Sequence, residues 1–150
     1  MTTGAITRRR EEEGSSLVEF SLVAFMFVIV LLGGVEMGRM VLVYTTVAQA
    51  ARAGARYAIV HGGDRTGTGV NGPSGPGSVT QVQTVVTNFA SAGLIDTSKL
   101  TVTVTYPNGV NSAGSPVSVT ASYPYDPLIA YFNSLLGVTM GSTSLGVIVF

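Results

Sequence analysis

From Leu17 to Val35 the chain reads LVEFSLVAFMFVIVLLGGV, apolar but for Glu19 and Ser21. As an α-helix this run would rise about 28 Å, close to the ~30 Å hydrocarbon core of a bilayer. Nothing later in the chain is apolar enough to surround it as the core helix of a soluble protein. The run therefore predicts a transmembrane segment over about residues 17–35. The polar leader before it, residues 1–14, carries Arg8, Arg9 and Arg10. Basic residues ahead of a span predict a cytoplasmic N-terminus, with the bulk of the chain outside. A secretory signal peptide is the rival, because a basic region followed by an apolar run is also its pattern. No small-x-small cleavage site follows promptly, the first being Ala48-Gln49-Ala50. A retained anchor is the better reading.

The helical pattern continues past the apolar run. GVEMGRMVLVYTTVAQAARAGARYAIV, Gly34 to Val60, has no proline. Met37, Val41, Tyr44, Ala48, Ala51, Ala55 and Ala58 fall at 3–4 spacing on one stripe. Arg39, Thr46, Gln49, Arg52 and Arg56 fall on another, which predicts an amphipathic helix outside the membrane. One helix over residues 15–60 would be about 69 Å long, so half of it stands in water and its alanine stripe needs a cover. Gly34 and Gly38 make one small-xxx-small step, and Ala50, Gly54 and Ala58 make another. Small residues at that spacing let a second backbone approach closely, and these five are the candidate helix-packing residues. Arg52 and Arg56 read as solvated.

The remainder differs in composition. Only Asp64, Arg65, Asp96, Lys99 and Asp126 carry charge after Tyr57. Residues 61–77, HGGDRTGTGVNGPSGPG, read as a glycine- and proline-rich loop. Within it Gly67 to Gly72 matches a dinucleotide fingerprint formally, but a helix precedes it and Pro73 follows, so the strand–turn–helix that gives the fingerprint its chemistry is missing. His61, Asp64 and Ser74 form no triad in so loose a segment. Residues 78–150 read as a small α+β head. A helix is expected over SVTQVQTVVTNFASAG, capped by Ser78 with Gln81 at the capping-box position, with Val79, Val82, Val86 and Phe89 on its apolar face and Gly93 at its end. LTVTVTY and VSVTASY alternate as two antiparallel strands joined by PNGVNSAGSP, with Val102, Val104, Val117 and Val119 among the residues on the apolar face. That face is the natural cover for the alanine stripe. A short helix in DPLIAYFNSLLG, started by Asp126 and Pro127, and a final strand in STSLGVIVF complete the head.

Composition narrows the function. The net charge is zero and cysteine is absent, which argues against a nucleic-acid partner and removes thiolate metal sites and disulfides. The single histidine, His61, excludes metal sites built on several imidazoles. In the head no pair of carboxylates, metal spacing or activated nucleophile appears, so catalysis has no candidate residues there and no cofactor is expected.

Gly14, four residues, then Glu19 and the aromatic Phe20 at the head of an apolar helix resemble the processing site of type IV prepilins. GSSLVEFSLV, GVEMGRMVLVYTTVAQAARAGARYA and ASYPYDPL are similar to the corresponding stretches of the TadE-like family, the pseudopilins or minor pilins of the Flp/Tad type IVb pilus system. The likeness covers the first 60 residues well, the sheet region loosely and the glycine-rich loop not at all. It implies a pilin-like α+β fold, a long N-terminal helix bearing a small antiparallel-sheet head. It further implies cleavage between Gly14 and Ser15 by a membrane-embedded prepilin peptidase, with Glu19 and Phe20 serving recognition and subunit registration. A non-enzymatic role in pilus assembly follows, in the bacterial cytoplasmic membrane and with membrane lipid, other pilins and the Tad assembly machinery as partners. Ser15 and Ser16 stand where many prepilins have a bulky apolar residue. The alternative is an uncleaved, signal-anchored envelope protein whose head binds an extracellular ligand.

Overall fold

The structure, a computed structural model, describes residues 3–93, 95–128 and 137–149. The chain divides into two units, Met1–Gly38 and Arg39–Phe150. Helix α1, Thr3–Val60, contributes to both. It begins well before Ser15, where the sequence pattern placed its start. Arginine and glutamate are strong helix formers, so the leader continues the helix, and Gly14 costs it only about 1 kcal/mol relative to alanine.

In the first unit the apolar side chains of α1 have no cover from the chain itself: Leu17 is 70% exposed and Phe20 73%. Among the described residues α1 is the one helix long and apolar enough to cross a membrane, and the apolar window within it is unburied.

The second unit is a small α+β body. Besides the upper part of α1 it contains helix α2, Thr80–Ala92, and three strands: β1, Thr101–Thr105, β2, Pro116–Pro124, and β3, Thr139–Val147. The strands form an antiparallel sheet in the order β1-β2-β3. Thr103 lies opposite Thr120, which in turn lies opposite Thr143. Period-two alternation sends Val117, Val119, Ala121 and Tyr123 of β2 into the core, where they are buried. The threonines of β1 are exposed, and Thr120 and Thr143 join their hydroxyls at 2.9 Å on the outer face. One side of this sheet is packed and the other solvated, as expected for an antiparallel sheet with a single cover layer.

The core joins Val43, Val47, Ala50, Ala51, Ala55 and Ala58 of α1 to Val82, Val86 and Ala90 of α2 and to the inner face of the sheet. The upper stripe on α1 is buried as its spacing predicts, but the lower part is displaced. Val43 and Val47 turn inward, whereas Met37, Val41 and Tyr44 are more than half exposed. Residues 40–44, MVLVY, are apolar all round, so periodicity alone had no means of choosing the face that the sheet covers.

Helix α2 also starts differently from the capping-box reading. Val79 is its N-cap residue, and no side chain caps it. Ser78 instead donates its backbone N–H to the Gly75 carbonyl at 2.9 Å and pairs with Gly75 in an isolated bridge. Phe89 is 42% exposed, and Ala90 takes the buried position. Gly93 ends the helix as expected, but at φ −85° rather than in the left-handed region. Its glycine answers a steric demand: a Cβ there would strike the side chain of Thr46 on α1.

The final strand starts earlier in the sequence than STSLGVIVF suggests, at Thr139, because Thr139–Val147 follows the full length of β2. Ile148 then turns into the core, and Val149 donates its N–H to the Ile59 carbonyl of α1 at 3.0 Å. The short helix expected in DPLIAYFNSLLG falls mostly on residues 129–136, outside the described residues.

Candidate processing segment, packing face and cavity

Gly14, Ser15, Glu19 and Phe20 lie on one continuous stretch of α1, and all are exposed. Beyond the helix's own backbone, nothing lies within 4 Å of the point where a Cβ on Gly14 would sit, so this face of the helix is open to an approaching partner. Ser21 returns its hydroxyl to the Val18 carbonyl at 2.8 Å, a local bond that satisfies one polar group of the apolar run.

The two small-residue steps differ in surroundings. Gly34 and Gly38 have nothing within 4 Å of a would-be Cβ. Ala50, Gly54 and Ala58 lie beneath the chain's own head, and both alanines are fully buried. A Cβ on Gly54 would collide with Val86 of α2 and come within 3.2 Å of Val119 on β2. The step therefore seats two elements at once, α2 and the central strand. Arg52 and Arg56, on the opposite side of the helix, are exposed.

At one end of the sheet a cavity of about 300 Å³ opens between α1, the one-turn helix Thr97–Lys99 and the end of β2. Its lining combines the charges of Arg39, Asp96, Lys99 and Asp126 with Tyr123, Tyr125 and the apolar Leu42, Val43 and Ile95. The Arg39 guanidinium lies 5.4 Å from the ring centroid of Tyr125, within cation–π range. Asp96 caps the one-turn helix by accepting bonds from the Ser98 hydroxyl at 2.7 Å and the Ser98 N–H at 3.0 Å. These bonds hold its carboxyl below the usual aspartate range, the hydroxyl contributing most. Lys99 bonds and pairs with Asp126, which raises the ammonium above its ordinary value. Both carboxylates act here as hydrogen-bond acceptors, Asp96 within its own turn and Asp126 toward Lys99. Among the described residues no group of three or more His, Asp or Glu side chains could hold a metal ion.

The glycine-rich loop is better ordered than its composition implies. His61 stacks on Tyr57 with ring centroids 3.8 Å apart, and its Nδ1 donates to the Tyr57 carbonyl at 2.8 Å. Ser74 is fully buried. Its N–H and hydroxyl both donate to the His61 carbonyl, at 2.6 and 3.0 Å. Tyr106 donates its phenol to Ser74 Oγ at 3.2 Å, and burial pushes that phenol's pKa up while the Ser74 bond opposes the rise. From the β1–β2 connection Asn111 donates to the Ser74 carbonyl at 2.9 Å and accepts the Gly63 N–H at 2.7 Å. Histidine and serine do meet, but through a backbone carbonyl and not through the imidazole, so the cluster fastens a loop and has no triad chemistry. Sequence reasoning missed this knot because its partners lie far apart in the chain. The one local signal was Asn111 in a turn-rich segment.

Replacing Ser74 with alanine should destabilise the head by about 1–3 kcal/mol, since Tyr106 loses its acceptor in a buried site. Tyr106→Phe should cost less, because Ser74 keeps its bonds to His61. Thermal unfolding of both full-length variants in detergent tests this order, and equal midpoints for Ser74→Ala and the unaltered protein would contradict it.

Searches of the curated proteins and of the solved structures gave no match. A family model described as TadE-like protein matches residues 14–56, from the exposed glycine at the head of the apolar run to the exposed Arg56 within the packed step. TadE-like proteins are a pilus-associated structural family not known for enzymatic activity. Residues 14–56 of this chain are thus similar to the TadE-like family, in keeping with the resemblance carried by Gly14, Glu19, Phe20 and the long helix.

Proposed function

We propose that the protein is a TadE-like pseudopilin, a single-pass membrane protein that acts without catalysis in building a Flp/Tad pilus. The observation that carries this reading is where the family match begins: at Gly14, the residue after which a prepilin peptidase would cut. An exposed glycine with open space around it suits a protease that must reach the backbone. The arginines of the leader keep residues 1–14 in the cytoplasm, the apolar run of α1 anchors the chain in the inner membrane, and the α+β head stands outside.

Cleavage would create a new ammonium at Ser15, close to Glu19. An unpaired carboxylate within the bilayer costs a few kcal/mol. The free amine of a neighbouring subunit offsets that cost, so Glu19 registers one subunit against another. Phe20 and the exposed step of Gly34 and Gly38 belong to the same lipid-side surface, which meets other pilins or the assembly machinery.

N-terminal sequencing and intact mass of the protein from membranes test the reading. A mature chain beginning at Ser15 is expected. A chain that keeps Met1 or Thr2 would sink the pseudopilin assignment and favour an uncleaved anchor.

A further inference from the structure

We infer that the chain carries a second helix start at Ser16, and that α1 gives way to it before the Gly14–Ser15 bond is cut. The inference rests on the processing reading above and gives Ser16 and Glu19 a positioning role within it.

Helix α1 runs unbroken from Thr3 to Val60, straight through the proposed cut. An α-helix ties the Gly14 carbonyl to the Val18 N–H, and the Ser15 N–H to the Glu11 carbonyl. Hydrolysis adds water across this amide. The water oxygen ends in a Gly14 carboxylate, and the Ser15 nitrogen leaves as an ammonium. On the way the carbonyl oxygen gathers negative charge and needs donors supplied by the peptidase. In the intact helix the Val18 N–H occupies that place, so the turn has to open first.

The local sequence favours opening in two ways. Gly14, Ser15 and Ser16 are all poorer helix formers than alanine, and together they raise the open population about 30-fold over three alanines (about 2 kcal/mol). Ser16-Leu17-Val18-Glu19 also has the Ser-x-x-Glu spacing of a capping box. Once the chain before it is extended, Ser16 Oγ accepts the Glu19 N–H, and the Glu19 carboxylate accepts the Ser16 N–H. Two of the donors that opening exposes are thereby satisfied. Both side chains are exposed and reach these partners without repacking any neighbour. Glu19 then stands in the first turn of the shortened helix, where the macrodipole favours a negative charge. Gly14 and Ser15 lie outside that helix, with their peptide bond free. The same box caps the mature helix after the leader has gone.

The test uses full-length protein in phospholipid vesicles, with and without a co-reconstituted prepilin peptidase. Without the peptidase, hydrogen exchange of the Ser15, Leu17 and Val18 amides follows opening. Ser16→Ala should slow it about tenfold, because the cap is lost and the unbroken helix gains. Ser16→Thr keeps a capping hydroxyl and should exchange like the unaltered protein. Glu19→Gln still reaches back to the Ser16 N–H and should also match it, whereas Glu19→Ala should slow exchange several-fold. With the peptidase present, the initial rate of leader release should fall with Ser16→Ala and be restored by Ser16→Thr. Equal exchange in all four variants would overturn the second helix start while leaving the processing reading intact. Cleavage that changes in Ser16→Ala without a change in exchange would likewise overturn it, assigning Ser16 to a contact with the peptidase. No cut after Gly14 in the unaltered protein, with the exchange order as expected, would overturn the processing reading and leave the second start in place.

Discussion

Gly54→Leu is expected to lower the stability of the head by about 3 kcal/mol, toward the upper part of the range for overpacked cores. The position is held from two sides. A Cβ alone collides with Val86 of α2 and comes within 3.2 Å of Val119 on β2, and neither valine can move freely because both are fully buried. Leucine adds three more carbons in the same place, so either α2 or the sheet must lift away from α1. Gly54→Ala should fall between. Alanine gains about 1 kcal/mol of helix propensity over glycine, which offsets part of the collision. Hydrogen exchange in detergent gives the readout. Backbone amides of β2 should lose protection in the order unaltered, alanine, leucine. Full protection in the leucine variant would mean that the head does not rest on the Ala50–Ala58 face.

Gly14→Leu should leave the leader on most of the protein. A γ-branched side chain at the scissile position obstructs the close approach to the backbone that glycine permits. The structure supplies no compensating reason for glycine here, because nothing lies within 4 Å of the added Cβ and leucine favours helix. The variant should therefore fold and insert normally and differ only in maturation. Intact mass should shift from a chain starting at Ser15 to one retaining residues 1–14, with the mature form reduced more than tenfold (a barrier increase of about 1.4 kcal/mol or more). An unchanged mature mass would remove Gly14 from the processing site. A variant lost from the membrane would show instead that Gly14 serves folding or insertion.

Much of this architecture was written in local pattern. The apolar run, the proline-free continuation of α1, the alternation of β1 and β2 and the glycine that ends α2 each arise from the spacing of side chains along one element. Residues 14–56 carried the TadE-like signature in the same way, since its marks, Gly14, Glu19, Phe20 and a long helix, are contiguous. Where the local pattern was degenerate, the prediction slipped. In MVLVY every face of the helix is apolar, so the choice between Met37, Val41 and Tyr44 on one side and Val43 and Val47 on the other waited for the sheet.

What the sequence by itself determined is which segments are helix or strand and which run is apolar enough for lipid, because these follow from periodicities of 3.6 and 2 residues. Only the tertiary structure decided which face of α1 is covered, that Gly54 and Gly93 are sites of contact, and that His61, Ser74, Tyr106 and Asn111 meet in one knot. It also gathered Arg39, Asp96, Lys99 and Asp126 around one cavity. The physical reason is common to all of these. Each depends on two elements distant in sequence approaching to within van der Waals or hydrogen-bond distance, and no single stretch of chain encodes its partner.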